Sequence, residues 1–386
     1  MPTLVQVFET DTATVQLTLS LFLLGFALAQ LGYGPASDRF GRQPILLAGT
    51  ALYFLASVAC ALAGSIEQLI LFRFLQGAGA CAGPVLGRAV VRDVYGPEQA
   101  ARVLAYLAAA MAIAPTLGPV LGGYLTLAFG WRASFVVLVV FGAVIFVGVL
   151  TLLPETNRNR DPQALEPRTL VANYAALLGS RTYIGCVLVV ACTYTGLFTF
   201  ISGSSHVLIG LVGLTPDLFG LCFATGVLGF IAGSLLAGRL TLRVGAAGLM
   251  PVGASISALA GLFGLSLALL TPPSVPGVVG PMVLFMLGAG FTFPSAIALA
   301  LAPYPTKAGL ASALLGFVQL LAAAGAGVAI STAFDHYHSP RPMMLALALV
   351  TAAAVLAYLF LVRGARRSPA NRRHQGLDSH VQPPRL

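Results

Sequence analysis

The sequence predicts an all-α protein that crosses a membrane many times, and three observations carry this. Charged residues make up 9% of the 386-residue chain and hydrophobic residues 58%, whereas soluble domains carry about 25% charged residues. The mean hydropathy is +0.91. Uncharged runs of the length that spans a bilayer as a helix recur along the chain, separated by short turns with glycine, proline and charge. A soluble fold is excluded, and the chain is better counted in spans than in domains.

Eleven spans can be placed. The first, 14–37, is uncharged from residue 15 to residue 33. A turn over 34–44 carries Asp38, Arg39 and Arg42, which must sit at one membrane surface and find partners there. The second span is 44–64. The third, 67–91, holds Arg73, the one charge deep within a span. The fourth, 100–128, contains Pro115, Gly118, Pro119, Gly122 and Gly123, a pattern that bends a helix and admits a close neighbour. The fifth is 131–153. The polar stretch 154–180 then separates five spans from six, as a linker between two halves. The later spans are 181–206, 216–241, 246–270, 277–302, 307–333 and 342–362. The organisation is therefore an N-terminal bundle (1–153), the linker (154–180), a C-terminal bundle (181–362) and a basic tail (363–386) without apolar periodicity, expected to be disordered.

Arginine sets the expected orientation. Arg39, Arg42, Arg88, Arg92 and Arg102, the linker, Arg239, Arg243, Lys307 and the tail fall on one side, and only Arg132 and Arg341 on the other. By the positive-inside rule the Asp38 turn, the linker and the C-terminus face the cytoplasm. This bias accounts for the net charge of +9, and a nucleic-acid partner is excluded for want of a basic soluble face. The five cysteines lie inside apolar runs without metal-ligand spacing, as small buried hydrophobes. No signal peptide is visible.

The chemistry of an enzyme is missing. No Ser/His/Asp set, carboxylate pair, His-Glu-x-x-His or phosphate-binding loop occurs, and no cofactor is implied. Asp335, His336 and His338 read as solvated loop residues rather than a metal site. The halves instead echo each other: Gly34, Arg39 and Gly41 return as Gly238, Arg243 and Gly245, each 204 positions on, with Leu242 in the place of Asp38. Matched halves mark a secondary transporter. Candidate substrate contacts are Tyr194, Phe198 and Phe200 in the sixth span, Phe291 and Phe293 in the ninth, and Gln319, the lone amide of the tenth. Aromatics with few polar groups suit varied lipophilic ligands.

The turn Gly34-Pro35-Ala36-Ser37-Asp38-Arg39-Phe40-Gly41-Arg42 resembles the signature loop of the major facilitator superfamily. Arg73-Phe74-Leu75-Gln76-Gly77 resembles its fourth-helix motif, Gly118-Pro119-Val120-Leu121-Gly122-Gly123 its antiporter motif, and Leu153-Pro154-Glu155-Thr156 the segment closing its first half. Val15-Gln16-Leu17-Thr18-Leu19-Ser20 and Val91-Arg92-Asp93-Val94-Tyr95 are similar to the bicyclomycin-resistance (Bcr/CflA) branch of drug:proton antiporters. The resemblance implies a major facilitator fold of two helical bundles, in which eleven spans are seen of an expected twelve. It implies an ionic latch of Asp38 and Arg42 against Asp93, with Arg39 and Gly41 in the same hinge. Arg73 with Gln76 would serve proton coupling, and Gly118, Pro119, Gly122 and Gly123 would seal a leak path. The expected function is proton-coupled efflux of small amphipathic drugs across the inner membrane by a monomer. Uptake of a nutrient and a non-transporting receptor are the alternatives. The resemblance also predicts that a first helix is missing before Met1, and with it an acidic residue.

Overall fold

The computed structural model describes residues 2–95, 103, 118, 121–157, 160–304, 308–337 and 339–363. Among them, ten helices are long and apolar enough to cross a membrane. The expected span 100–128 lies outside the described residues except for residues 103, 118 and 121–128, all helical.

A short helix α1 (Pro2–Val7) precedes α2 (Thr12–Phe40), whose first turn is capped by the Asp11 carboxylate accepting from the Thr14 N–H. Then come α3 (Arg42–Leu62), α4 (Ile66–Ala80) and α5 (Ala82–Val94). The last two form one span broken at Cys81. Helix α6 (Arg132–Leu152) closes the first half. It is apolar all round and buries only Gly142, as expected of a helix whose outer solvent is lipid. The linker is not featureless. It holds α7 (Pro167–Leu178), with proline in the first turn where no N–H is needed.

The second half runs α8 (Arg181–Ser205), a π-helical turn (His206–Leu211), α9 (Pro216–Leu270), α10 (Val275–Leu301), α11 (Ala308–Tyr337) and α12 (Arg341–Ala357). Helix α9 comprises two spans hinged at Gly245 (φ 73°, ψ 159°).

In the first half α4 packs between α2 and α3, and α6 lies on α3; in the second, α8 packs on α10, α11 and α12, and α9 on α10 and α12. Gly25 and Gly77 make the α2–α4 crossing close, because a Cβ on either would strike the other helix's backbone at Phe74 or Phe22. The halves meet chiefly where α2 crosses α11.

Candidate functional site

The charged turn is tighter than the sequence implies. Residues 34–44 were expected to form it, but α2 stays helical through Phe40 and the chain turns at Gly41 alone (φ 108°, ψ 158°). Beyond Pro35 the last turn of the helix keeps its bonding. Ser37 Oγ donates to the Gly34 carbonyl at 2.8 Å and the Gly41 N–H to the Ser37 carbonyl at 3.1 Å. Proline cannot bond the carbonyl four residues earlier, so the Leu31 carbonyl is left free. The Tyr174 hydroxyl, on α7, donates to it at 3.4 Å. Burial raises the pKa of that phenol.

Arg42 gathers the acids. Its Nη1 lies 2.5 Å from Asp38 Oδ1 and its Nε 2.9 Å from Asp93 Oδ2, and Nη1 also donates to Ser37 Oγ at 2.6 Å. These are the two ion pairs between described residues. The side chains of Arg42 and Asp93 are 12% and 23% exposed, so water screens their pair less than a surface pair, whereas Asp38, 47% exposed, is screened more. The structure thus joins Asp38, Arg42 and Asp93 in space. Arg39 belongs elsewhere: it points away over the Phe40 ring.

Three residues of the linker complete the turn, and the sequence reading gave none of them a role. Gly41 has no side chain to cap α3. Glu155 supplies the cap from 113 positions away, accepting from the Arg42 N–H at 2.9 Å, and it also takes the N–H of Asn157 at 2.8 Å. Burial works to raise the Glu155 pKa, but the backbone N–H groups of Asn157, Arg42 and Gln43 and the charge of Arg160 outweigh it and hold the carboxyl below its ordinary value. Asn157 Nδ2 donates to the carbonyls of Ser37 and Asp38 at 3.2 and 3.1 Å, and the Asp161 N–H to that of Asp38 at 3.0 Å. The only signal in the sequence was the Pro154-Glu155-Thr156 segment.

Arg73 lies in a separate network. Its Nη1 donates to Gln76 Oε1 at 2.5 Å and its Nε to the Thr18 carbonyl at 3.3 Å. The guanidinium carbon stands 4.2 Å from the Phe22 ring centre. Gln76, fully buried, passes the bonding on through Nε2 to Ser57 Oγ at 2.7 Å. No carboxylate pairs with Arg73 among the described residues. The cation is held by neutral acceptors and an aromatic face, so an anionic or protonatable group brought beside it would gain a strong partner.

The remaining expected residues scatter. Of the bend motif, Pro119 lies outside the described residues. A Cβ on Gly118, Gly122 or Gly123 would meet no described atom within 4 Å. Tyr194 and Phe198 share an apolar cluster with Leu23 and Leu320, and the Tyr194 ring lies 6.3 Å from that of Phe293. Phe200 stacks on Phe223 at 5.7 Å, Phe291 packs with Ala237 and Leu249, and Gln319 is half-buried on α11.

A cavity of about 410 Å³ opens between the halves beside the ionic cluster. Asp38, Arg42, Asp93 and Arg88 line it from the first half, Tyr174 from the linker helix, and Gly309 and Ser312 from α11, with Gln30 at its inner end. None of the six expected substrate contacts lines it. At the opposite end of α2 the halves are closed: Gln16 Nε2 donates to Ser202 Oγ at 3.1 Å, both residues fully buried. The arrangement is a two-part helical body with a cleft open at the Gly41 end and shut at the Asp11 end.

Comparison with known proteins fits this geometry. The sequence model of the Major Facilitator Superfamily matches residues 1–212 and again 207–384, once for each half. A bicyclomycin resistance protein homolog from Haemophilus influenzae is 30% identical over 348 residues, covering 90% of this chain and 86% of the relative. Multidrug resistance protein D from Escherichia coli is 32% identical over 324 residues, covering 82% and 78%. Among solved structures, the xylose transporter XylE from E. coli superposes with a TM-score of 0.70 at 17% identity, over 91% of this chain and 87% of that one. That last likeness concerns the fold alone.

Proposed function

Because the chain belongs to the major facilitator superfamily, in its bicyclomycin-resistance branch, and is a membrane transporter rather than an enzyme, we propose that it exports small amphipathic drugs in exchange for protons. The two halves rock about the α2–α11 contact and expose the space between them to either side of the inner membrane in turn. The observation that carries this reading is the asymmetry of the interface. It is cleft at the Gly41 end, where Arg42 ties Asp38 to Asp93, and packed at the Asp11 end.

The Gly41 end, the linker and the C-terminus face the cytoplasm, and the chain acts as a monomer. The Arg42 cluster fastens α2, α5 and the linker into one rigid block. It favours one access state by contacts that the other state would lose. Arg73 supplies the fixed positive charge that a protonatable group leaves or meets as the cycle turns. Tyr194, Phe198 and Phe293 form the aromatic wall for substrate with Gln319 as its polar contact, and Phe200 and Phe291 support that wall from within the second half's own clusters.

The reading is tested by expressing the chain in a strain stripped of its own efflux pumps and preparing inverted membrane vesicles. An imposed proton gradient should drive accumulation of a cationic dye or chloramphenicol. Dissipating the gradient should abolish accumulation, and Arg73→Ala should remove nearly all of it. Accumulation that ignores the gradient overturns proton coupling, and none of any drug across a broad panel overturns export.

A further inference from the structure

The α2–α11 crossing uses one device twice. On α2, Gln16, Ser20, Leu23, Ala27 and Gln30 follow one another at steps of three or four residues and so share a face. On α11 the facing stripe is Gly316, Leu320, Ala323, Gly327 and Ser331. The helices run in opposite directions, and each glutamine sits over a glycine. A Cβ on Gly327 would stand 2.9 Å from Gln16 Nε2, 2.8 Å from the Phe198 ring and 3.3 Å from Ser20 Oγ, and a Cβ on Gly316 would collide with the Gln30 amide. Between the two seats Leu23 and Ala27 pack on Leu320 and Ala323. Gln30 borders the cleft, so its seat is where contact ends on that side. The Gln16 seat is wholly closed.

This closed end is poorly satisfied. Gln16 Oε1, Ser20 Oγ and Ser331 Oγ are buried without a hydrogen-bond partner among the described residues. Gln30 Oε1 at the other seat and Thr195 Oγ1 and Ser204 Oγ on α8 share this state, whereas the buried hydroxyls of Thr18, Thr193, Thr199 and Thr351 turn back onto carbonyls of their own helix. Unpaired polar atoms at lipid depth are costly, and a permanently packed interface would exclude them. An interface that opens to water gives them partners in its other state. The glycines then serve closure, because they let the amides seat without displacing the helices.

We propose that Gln16 seated on Gly327 is the clasp closing the Asp11 end, and that Gln16, Ser20 and Ser331 line the passage when that end opens. The proposal rests on the alternating-access reading, but its test needs no drug, so a failure of export leaves it standing. Ser20→Cys is labelled with a membrane-impermeant maleimide applied from the Asp11 face, over the background of the parent chain with its five native cysteines. Adding Gly327→Val should wedge the seat and speed labelling about tenfold, a shift of the open fraction rather than a loss of fold. Gly327→Ala should move it the same way by less. Gly325→Val, on the same helix where a Cβ meets nothing within 4 Å, should leave the rate unchanged. Unchanged labelling in Gly327→Val, or an equal rise in Gly325→Val, overturns the proposal.

Discussion

The Gly41 and Gly245 turns have the same backbone and opposite surroundings. Both glycines adopt positive φ with nearly equal ψ, at 108°, 158° and 73°, 159°, and each joins two spans. At Gly41 the turn is fastened from three directions: Arg42 to Asp38 and Asp93, Glu155 onto the α3 N-terminus, and Asn157 onto the last carbonyls of α2. At Gly245 a Cβ would meet nothing within 4 Å, and Arg243 is exposed and makes no ion pair among the described residues. The sequence agrees, since Leu242 and Ala246 hold the places of Asp38 and Arg42. The echo between halves therefore preserves the fold of the turn, which glycine alone secures. The charges serve something only the first half does.

The sharpest way to break this comparison is to remove the charges. Arg42→Ala should cost at least about tenfold in gradient-driven dye transport, while insertion and expression hold, because only the balance between access states is disturbed. Arg243→Ala should leave transport unchanged. Equal losses from the two, read in the same vesicles, would make the turns equivalent after all.

A smaller effect is expected from the glycines themselves. Gly41→Ala suffers backbone strain of about 1–3 kcal/mol and also drives a Cβ into the Glu155 carboxylate. Gly245→Ala suffers the strain without the collision. Thermal melts in detergent should therefore show the larger fall for Gly41→Ala. An equal fall would mean that Glu155 moves aside freely.

The smallest effect concerns pH. The folded-state pKa of Glu155 is lowered, so its contribution to stability is present above the ordinary glutamate value of about 4.3 and is lost as pH falls through the folded value. Melting temperatures should drop below about pH 4 in the parent. Glu155→Gln should flatten that dependence and cost about 1 kcal/mol at neutral pH, as for a lost helix cap. A parallel pH profile in the variant would assign the acid sensitivity to other carboxylates.

Two kinds of information were legible to different degrees. The spans and the two halves could be read along the chain, because hydropathy and charge are local properties and lipid tolerates few alternatives; the meeting of Asp38 and Arg42 with Asp93 was implied only by the resemblance of the turn to a known family. The continuation of the first helix beyond its expected end at residue 37, through Phe40, could not. Pro35 argues against a helix locally, and only Tyr174, supplied by the linker, takes up the carbonyl it frees. The aromatic residues read as one pocket are distributed over several clusters, since a ring's type says nothing of which helix face it occupies.

By itself, then, the sequence determined that this chain lies in the membrane, that its halves are related, that Arg73 is a charge deep within a span, and that Asp38 and Arg42 sit in a turn at the membrane surface. Tertiary structure alone decided that Glu155 caps a helix 113 positions away, that the cleft opens at the Gly41 end, and that Gln16 finds Gly327 across the interface. The physical reason is the range of the forces. Burial in lipid acts on each segment separately and leaves its mark on composition, whereas a hydrogen bond or a glycine seat depends on the relative placement of two helices, and no periodicity within either helix records that.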